Sequence, residues 1–213
     1  CDAGKLLNIE EMRDNDYVIT TKELVQWCQE EGLDLDKITP SKFDSVLGEG
    51  TGAGMIFGNT GGVMEAALRT VYRVLEGKEA PADFYQLRPV RGLSNRKEAE
   101  VTIAGKKLRV CILYGTAAAE KFLAEDMNGY HFVEVMTCPG GCISGAGQPD
   151  CGSVPVSDVV RKKRIQSLYQ ADEQAERRNS MDNPEIGTIY HEFFKEPLSM
   201  LSEKLLHTTY KGK

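Results

Sequence analysis

Two cysteines four residues apart, Cys138 and Cys142, lie in a glycine-rich stretch that follows an apolar run. A deprotonated thiol is a soft ligand that suits iron–sulfur clusters and zinc. Glycines allow the backbone to approach a bulky inorganic group and to turn amide N–H groups toward anionic sulfides. The spacing alone also fits two reduced loop cysteines whose neighbouring glycines only serve turns. The residues on either side of the pair favour the metal site.

A longer pattern surrounds the pair, and it consists of Glu134, Met136, Cys138, Gly141, Cys142, Gly147, Gln148 and Pro149. This string resembles the last of the three cysteine signatures of the iron-only, or [FeFe], hydrogenases. Upstream, Thr51–Thr70 resembles another segment of the same family almost without a break. Shorter similarities follow in the family's order: Val90–Leu93, Lys97–Val101, Arg164–Tyr169, Asp172, Glu173 and Leu205–His207. The resemblance therefore covers essentially the whole chain.

The resemblance implies a cofactor, the H-cluster, in which a [4Fe–4S] cube is joined through one cysteine sulfur to a two-iron subsite. In this sequence Cys138 would ligate only the cube, and Cys142 would be the thiolate shared with the two-iron subsite. Met136 would lie close to the two-iron subsite, because a thioether is soft and apolar and excludes water without competing as a strong ligand.

Three residues of the upstream segment and one acid complete the implied site. Phe57, Gly54 and Gly58 would line the pocket of the two-iron subsite, with the glycines leaving room for its diatomic ligands. Glu134 would hydrogen-bond to the backbone near the cluster. By residue type alone, Phe57 could also be an ordinary core aromatic.

The implied reaction is the reversible conversion of two protons and two electrons into H2 by an oxidoreductase of anaerobic hydrogen metabolism. Ferredoxin or an upstream electron-transfer domain would supply the electrons, and maturation proteins would build the H-cluster. A non-catalytic iron–sulfur assembly protein shares the Cys138–Cys142 signature, and a sensory or regulatory hydrogenase module is a second alternative. The segment Ile56–Glu65 resembles catalytic members.

The chain begins at Cys1, without a methionine. The resemblance implies an upstream region of the same protein that holds the other two cysteine signatures and the acidic proton-relay residues. A [4Fe–4S] cube is held by four cysteine thiolates, and this chain matches two of the four. We therefore expect the isolated chain to be inactive and to lack the H-cluster. Cys151 lies outside the family pattern and is predicted to be a free loop cysteine, with a metal role as the alternative.

Composition argues against several other classes of function. Of the 213 residues, 27% are charged and 41% are hydrophobic, which is ordinary for a globular protein. The formal charge of −6 argues against a nucleic-acid partner, which requires many cationic contacts to phosphate. No apolar stretch approaches the ~18 residues that span a bilayer, and no signal peptide is recognisable. The cysteine spacing does not resemble a secreted disulfide scaffold. The sequence therefore predicts a cytoplasmic protein without membrane contact.

The order of the hydrophobic patterns predicts an α/β fold, in which a parallel-sheet lobe with flanking helices is followed by a helical tail. We divide the chain into residues 1–155, the C-terminal portion of the H-cluster domain, and residues 156–213, a tail that resembles the family's small subunit. Strands are predicted at residues 17–20, 98–103, 108–114 and 131–136, and an extended segment at 84–88. The alternating polar and apolar residues at 98–103, the turn at Ala104 and Gly105, and the return at 108–114 predict a hairpin or strand pair. Helices are predicted from Thr21, the expected N-cap, to Gly32 and at residues 60–76, 116–126, 157–174, 184–194 and 198–206. Gly77 is expected to end the helix at 60–76, and residues 33–47 are predicted to be a loop with a short helix.

Further expectations concern how these elements come together. The strand that ends at Met136 should run parallel to its neighbours, with the helix at 60–76 packed on it. The apolar side of that helix is predicted to consist of Val63, Ala67, Val71 and Val74. Cys138 should lie within a loop's reach of the glycines at 58–62. The basic run Arg161–Arg164 is interpreted as the solvated side of a helix, with a docking patch for an acidic electron-transfer protein as the alternative.

Overall fold

The computed structural model describes residues 16–42, 49–125 and 128–207. Expectations for three places lie outside these residues: Cys1, residues 43–48 and Asp126. The chain divides into two compact units, of which the larger is Glu49–Asn183 and the other combines the segments before and after it. Within the described ranges, no helix is both long enough and apolar enough to cross a membrane.

Helices form most of the regular structure. In chain order, the described α-helices are α1 (Thr21–Glu30), α2 (Gly52–Met55), α3 (Gly62–Glu76), α4 (Thr116–Leu123), α5 (Asp158–Gln174), α6 (Pro184–Ile189) and α7 (Met200–Leu206). Short 3-10 turns lie at Leu35–Lys37, Ile56–Gly58, Ala82–Tyr85, Arg88–Val90, Cys142–Ser144 and Ser180–Asp182. The helical tail is therefore confirmed. The predicted extended segment at 84–88 is wrong, because two 3-10 turns occupy most of it.

A three-stranded sheet lies in the larger unit, with the strands β1 (Arg96–Ile103), β2 (Lys106–Tyr114) and β3 (Phe132–Met136) side by side in that order. β1 and β2 form the predicted antiparallel hairpin, whereas β2 and β3 are parallel, as predicted for the strand that ends at Met136. The α/β fold is confirmed, and its sheet is mixed because the short turn at Ala104 and Gly105 permits only an antiparallel return.

The main core lies between α3 and the sheet. Met64 and Leu68 of α3 pack with Val101 and Ile112 of the sheet. The predicted apolar side of α3 is wrong in phase, since Val74 is 61% exposed whereas Glu65 and Arg69 are completely buried. The hydrophobic pattern points to the wrong side of α3, because the buried side includes the charged residues Glu65 and Arg69. Both form ion pairs with other charged side chains.

The opposite face of the sheet is covered by α4. Cys111 and Leu113 of β2 pack with Phe122 of α4 and with the half-buried side chains of Tyr130 and Val133. Four consecutive β2 residues, Val110 to Leu113, are buried, because the strand is covered on both faces. β2 is thus the rigid centre on which β3 and the following loop are carried.

The smaller unit is helical where it is described. A capping box at α1 pairs the Thr20 side chain with the backbone of Glu23, and the Glu23 carboxylate in turn accepts from Thr20 N. The predicted strand at 17–20 is wrong, because the described residues 16–20 form no strand. The N-cap is therefore Thr20, not Thr21. The tail contains α6, which continues into a π-helical turn at Tyr190–Phe194, and then α7.

Candidate metal centre

The loop that carries the two candidate ligands lies directly against the glycine-rich segment, as predicted. Thr60 N donates a hydrogen bond to Gly140 O over 3.0 Å. Gly141 adopts φ = 99°, and a Cβ there would lie 2.7 Å from Thr60 N and 2.8 Å from Asn59 Cα. Only glycine allows this approach. Cys138 and Cys142 are thus held on either side of a tight contact with residues 58–62.

Both cysteines of the loop are free thiols, with Cys138 half-buried and Cys142 exposed. A Cβ on Gly145 would lie 3.7 Å from Cys138 Sγ, so glycine leaves open space beside the sulfur. Ser144 Oγ is buried and has no hydrogen-bond partner in the described part of the chain. Two soft sulfurs in a glycine-rich cradle fit part of an iron–sulfur ligand set.

The ligand set within the described residues remains incomplete. Across residues 16–42, 49–125 and 128–207, no group of three or more His, Cys, Asp or Glu side chains is placed to hold a metal ion. Cys151 is exposed, with φ = 53°, and its sulfur lies 3.4 Å from an Arg164 guanidinium nitrogen. The two cysteines of the loop therefore supply two sulfurs, and a [4Fe–4S] cube needs two more.

Glu134 forms the predicted contact with the backbone. Its two carboxylate oxygens accept from Gly61 N at 2.6 Å and from Met64 N at 2.7 Å. These N–H groups lie at the start of α3, where a negative charge is favourable. Burial raises the pKa of Glu134, although the two backbone hydrogen bonds and nearby Lys97 act in the opposite direction.

Lys97 is a buried site residue that the sequence reasoning did not single out for a role. Its Nζ donates to Thr60 O at 3.0 Å and to Gly92 O at 3.1 Å. Burial lowers the pKa of Lys97 to about 8, against the attraction of Glu134. One signal was available: β1 alternates inward and outward residues, and the inward positions are Lys97, Ala99, Val101 and Ile103.

The residues predicted to line the two-iron pocket differ in their surroundings. Phe57 is 44% exposed, and Gly54 is also exposed, with only Thr51 Oγ1 within 4 Å of an added Cβ. A Cβ on Gly58 would instead lie 2.8 Å from Leu168 Cδ1. The structure thus gives Gly58 a packing reason to be glycine, whereas Gly54 faces open space.

Arg164 of α5 fastens the far end of the cysteine loop, while Arg161 of the same helix pairs within α5. Arg164 donates to Ile143 O at 2.6 Å and to Pro149 O at 2.5 Å. Arg161 pairs with Asp158 at 2.6 Å, and its side chain is only 13% exposed. The interpretation of the basic run as solvated therefore holds for its two exposed lysines and is wrong for its two arginines.

A buried ionic cluster joins α3 to α5 beside the site. We define it as Glu65, Arg69, Arg91, Asp172 and Arg178. Arg69 bonds Glu65 at 2.9 Å and both oxygens of Asp172 at 2.8 Å, with all three side chains fully buried. Arg91 and Arg178 each donate at 2.6 Å to one of the acids. The sequence reasoning missed this cluster because its members are up to 113 residues apart.

Two family models match the chain in succession. The model of the iron-only hydrogenase large subunit, C-terminal domain, matches residues 4–146. The model of the iron hydrogenase small subunit matches residues 158–213.

Individual relatives include hydrogenases and assembly factors. Iron hydrogenase 1 of Clostridium pasteurianum is 39% identical over 94% of this chain and 35% of its own length. The cytosolic Fe-S cluster assembly factor narfl of Xenopus tropicalis is 29% identical over 94% of this chain and 42% of its own.

A solved [FeFe]-hydrogenase from Chlamydomonas reinhardtii superposes with a TM-score of 0.71 at 34% identity, over 92% of this chain and 55% of that one. The chain thus spans about a third of the Clostridium relative and about half of the solved structure. Since the large-subunit model covers most of the sequence and the small-subunit model covers the tail, the chain belongs to the iron-only hydrogenase family.

Proposed function

We propose that this chain supplies two cysteine ligands and part of the pocket for the H-cluster of an iron-only hydrogenase that interconverts H2 with protons and electrons. The observation that carries the proposal is the seating of the Cys138–Cys142 loop on residues 58–62. That seating joins the two parts of the sequence that resemble the family most strongly. It also brings two soft thiols, of the kind that iron–sulfur clusters take as ligands, beside glycine backbone.

The roles follow from residue chemistry. Cys138 would hold the [4Fe–4S] cube alone, and Cys142 would hold both the cube and the two-iron subsite. Met136, Phe57 and Gly54 would surround the subsite with apolar or small groups and exclude water. When bound, the H-cluster would supply the redox chemistry, while the protein orients it and tunes its potential.

The remaining parts of the proposal lie beyond this chain. An upstream region of the same protein would supply the other two cysteines and the acidic proton relay. Ferredoxin or an electron-transfer domain would exchange electrons, maturation proteins would build the cofactor, and the reaction would take place in the cytoplasm.

Within this chain, we also propose the division into a catalytic portion, residues 1–155, and a small-subunit-like tail, residues 156–213.

A second candidate function is non-catalytic iron–sulfur assembly. It is favoured by the similarity to narfl along nearly the whole chain. Both candidates require iron at Cys138 and Cys142, so hydrogen evolution is the measurement that separates them. A parent protein that binds iron through these cysteines without evolving hydrogen would support the assembly role or a sensory role.

The test uses the parent protein, meaning a longer chain that contains this one, produced together with its maturation proteins. Cys142→Ala is expected to abolish hydrogen evolution from a reduced dye, because the two-iron subsite loses its link to the cube. Cys151→Ala is the matched control, since this exposed loop cysteine lies outside the family pattern, and it should retain activity. Full turnover in the Cys142→Ala parent would refute the assigned role.

The isolated chain provides a separate test of the ligand count. We expect it to evolve no hydrogen and to bind no two-iron subsite, because a cube short of thiolates is labile. Iron and acid-labile sulfide are measured after anaerobic purification. About four irons per chain together with hydrogen evolution would contradict the expectation.

A further inference from the structure

The peptide unit that joins Thr60 to Gly61 is held at both ends by buried charges. Its carbonyl oxygen accepts a hydrogen bond from Lys97 Nζ at 3.0 Å. Its N–H donates to Glu134 Oε1 at 2.6 Å. The cation comes from β1 and the anion from β3, so the orientation of this peptide is set by the sheet.

Neither charged group is free to turn to another partner without loss. Lys97 is 7% exposed and also donates to Gly92 O, while Glu134 is 6% exposed and also accepts from Met64 N. If the Thr60–Gly61 peptide rotated, a buried ammonium and a buried carboxylate would each lose a hydrogen bond. Leaving such groups unsatisfied is costly in a low-dielectric interior.

The peptide unit just before the clamped one, Asn59–Thr60, is bonded directly to the loop between the two thiols. Thr60 uses its own N–H to hold Gly140 O at 3.0 Å. Gly61 is itself confined, since it has φ = 90° and a Cβ there would lie 2.0 Å from Val90 O. The main-chain bond from Thr60 to Gly140 therefore ties the cysteine loop to the peptide unit next to the clamped one, and the two units share the Cα of Thr60.

We infer that Lys97 and Glu134 act together as a positioning pair for the Cys138–Cys142 loop. They fix the Thr60–Gly61 peptide and so restrain Thr60, whose own N–H, in the adjacent Asn59–Thr60 peptide, holds the loop in the geometry that receives iron. The ligand role of the loop rests on the proposed function, whereas the mechanical coupling rests on the contacts alone. The role assigned to both residues is positioning and includes no contact with the reacting atoms.

Hydrogen–deuterium exchange of the 213-residue chain, read by mass spectrometry, tests the coupling. In Lys97→Met, exchange should become at least tenfold faster in peptides covering 58–64 and 138–145. Peptides covering 106–114 should keep their protection, because β2 does not depend on the clamp. The matched control is Lys107→Met, which removes an exposed lysine from the adjacent strand and should change neither segment.

A second variant keeps the test decisive if Lys97→Met fails to fold. Glu134→Gln preserves size but leaves a single acceptor oxygen for two N–H groups. Exchange should again rise in both segments, with little change in β2. Faster exchange confined to 58–64 in either folded variant, with 138–145 unchanged, would overturn the inference. A uniform rise over the whole sheet would overturn it as well, since that indicates only lower stability.

Iron binding separates this inference from the proposed function. In the parent protein, Lys97→Met should lose at least half of the bound iron relative to Lys107→Met, at equal folded content by circular dichroism. If Cys138→Ala does not lower bound iron either, the proposed function fails, and the exchange data alone decide whether the clamp exists. If Cys138→Ala loses iron and Lys97→Met does not, the positioning role is refuted.

Discussion

Two buried charged regions flank the first turns of α3, and they use charge in different ways. In the site region, Lys97 and Glu134 bind backbone groups of the glycine-rich segment. In the ionic cluster, Arg69 binds the side chains of Glu65 and Asp172. The first region fixes the main chain of a loop, whereas the second fixes two helices to each other.

This difference explains why the candidate site can be rich in glycine. A glycine-rich loop brings few side chains of its own to define its shape, and here charges from neighbouring strands hold its main chain. The ionic cluster joins helices that carry their own side chains. It uses the bidentate ion pair of Arg69 with Asp172, together with arginines stacked on tyrosine rings. Arg91 lies 3.6 Å from the Tyr169 ring centroid, and Arg178 lies 4.6 Å from that of Tyr85.

The largest effect on stability is expected from a substitution that breaks the ionic cluster. Arg69→Met should lower the free energy of unfolding by about 3–5 kcal/mol, because it leaves two buried carboxylates short of a partner. Arg73→Met, one turn later on α3, removes a side chain that is 32% exposed and should cost about 1 kcal/mol or less. Urea unfolding of the 213-residue chain measures both changes.

The same two variants also test whether the ionic cluster and the site pair hold different parts of the chain. While Arg69→Met stays folded, exchange in peptides covering 138–145 should match that of Arg73→Met, because the cluster holds helices and the site pair holds the loop. Equal unfolding free energies for the two variants would contradict the role given to the cluster.

An effect of intermediate size is expected from lowering the pH, because the stabilities that Asp172 and Glu134 contribute depend on pH in opposite directions. Burial raises the pKa of Asp172, but hydrogen bonds from Arg69 and Arg178 outweigh it, so its pKa lies below 3.8. The pKa of Glu134 lies above 4.5, because burial outweighs its hydrogen bonds. The stability due to Asp172 is thus present above pH 3.8 and is lost as the pH falls through its lowered pKa. The stability due to Glu134 is complete below pH 4.5 and is lost as the pH rises through its raised pKa.

Asp172→Asn and Glu134→Gln should therefore change the pH profile in opposite directions. From pH 7 toward pH 3, the unfolding free energy of the wild type relative to Asp172→Asn should fall, whereas relative to Glu134→Gln it should rise. Differences on the order of 1 kcal/mol are expected. Parallel profiles for the two variants would show that the carboxylates have the same environment.

The smallest expected effect concerns two glycines of the site region. Gly54→Ala should leave the stability of the chain unchanged or raise it by about 0.5 kcal/mol, since the position is helical and open. Gly58→Ala should cost about 1 kcal/mol, because Leu168 must move aside. In the parent protein, Gly54→Ala should nevertheless lower hydrogen evolution if Gly54 lines the pocket, and unchanged activity would remove it from the site.

Local pattern was sufficient for much of the fold. The polar–apolar alternation of β1 and the turn at Ala104 and Gly105 correctly predicted the hairpin, and Gly77 correctly marked the end of α3. The residue string around Cys138, by its resemblance, pointed to the family. These features succeed because each depends on a few neighbouring residues whose backbone preferences agree with the final structure.

Other features were decided only by tertiary structure. Residues 17–20 have the composition of a strand, but a strand also requires a partner, which local sequence does not specify. The buried face of α3 was missed because Glu65 and Arg69 are charged, and their burial depends on distant partners such as Asp172, which lies 103 residues after Arg69.

Sequence pattern was enough to indicate which residues have the chemistry to bind metal and roughly where most helices and strands lie. The tertiary structure alone decided that Lys97 and Glu134 meet at one peptide and that Gly58 packs on Leu168. Backbone preference and ligand chemistry are properties of short segments. The sharing of a buried hydrogen bond or ion pair depends instead on which distant segments the fold brings within about 3 Å of each other.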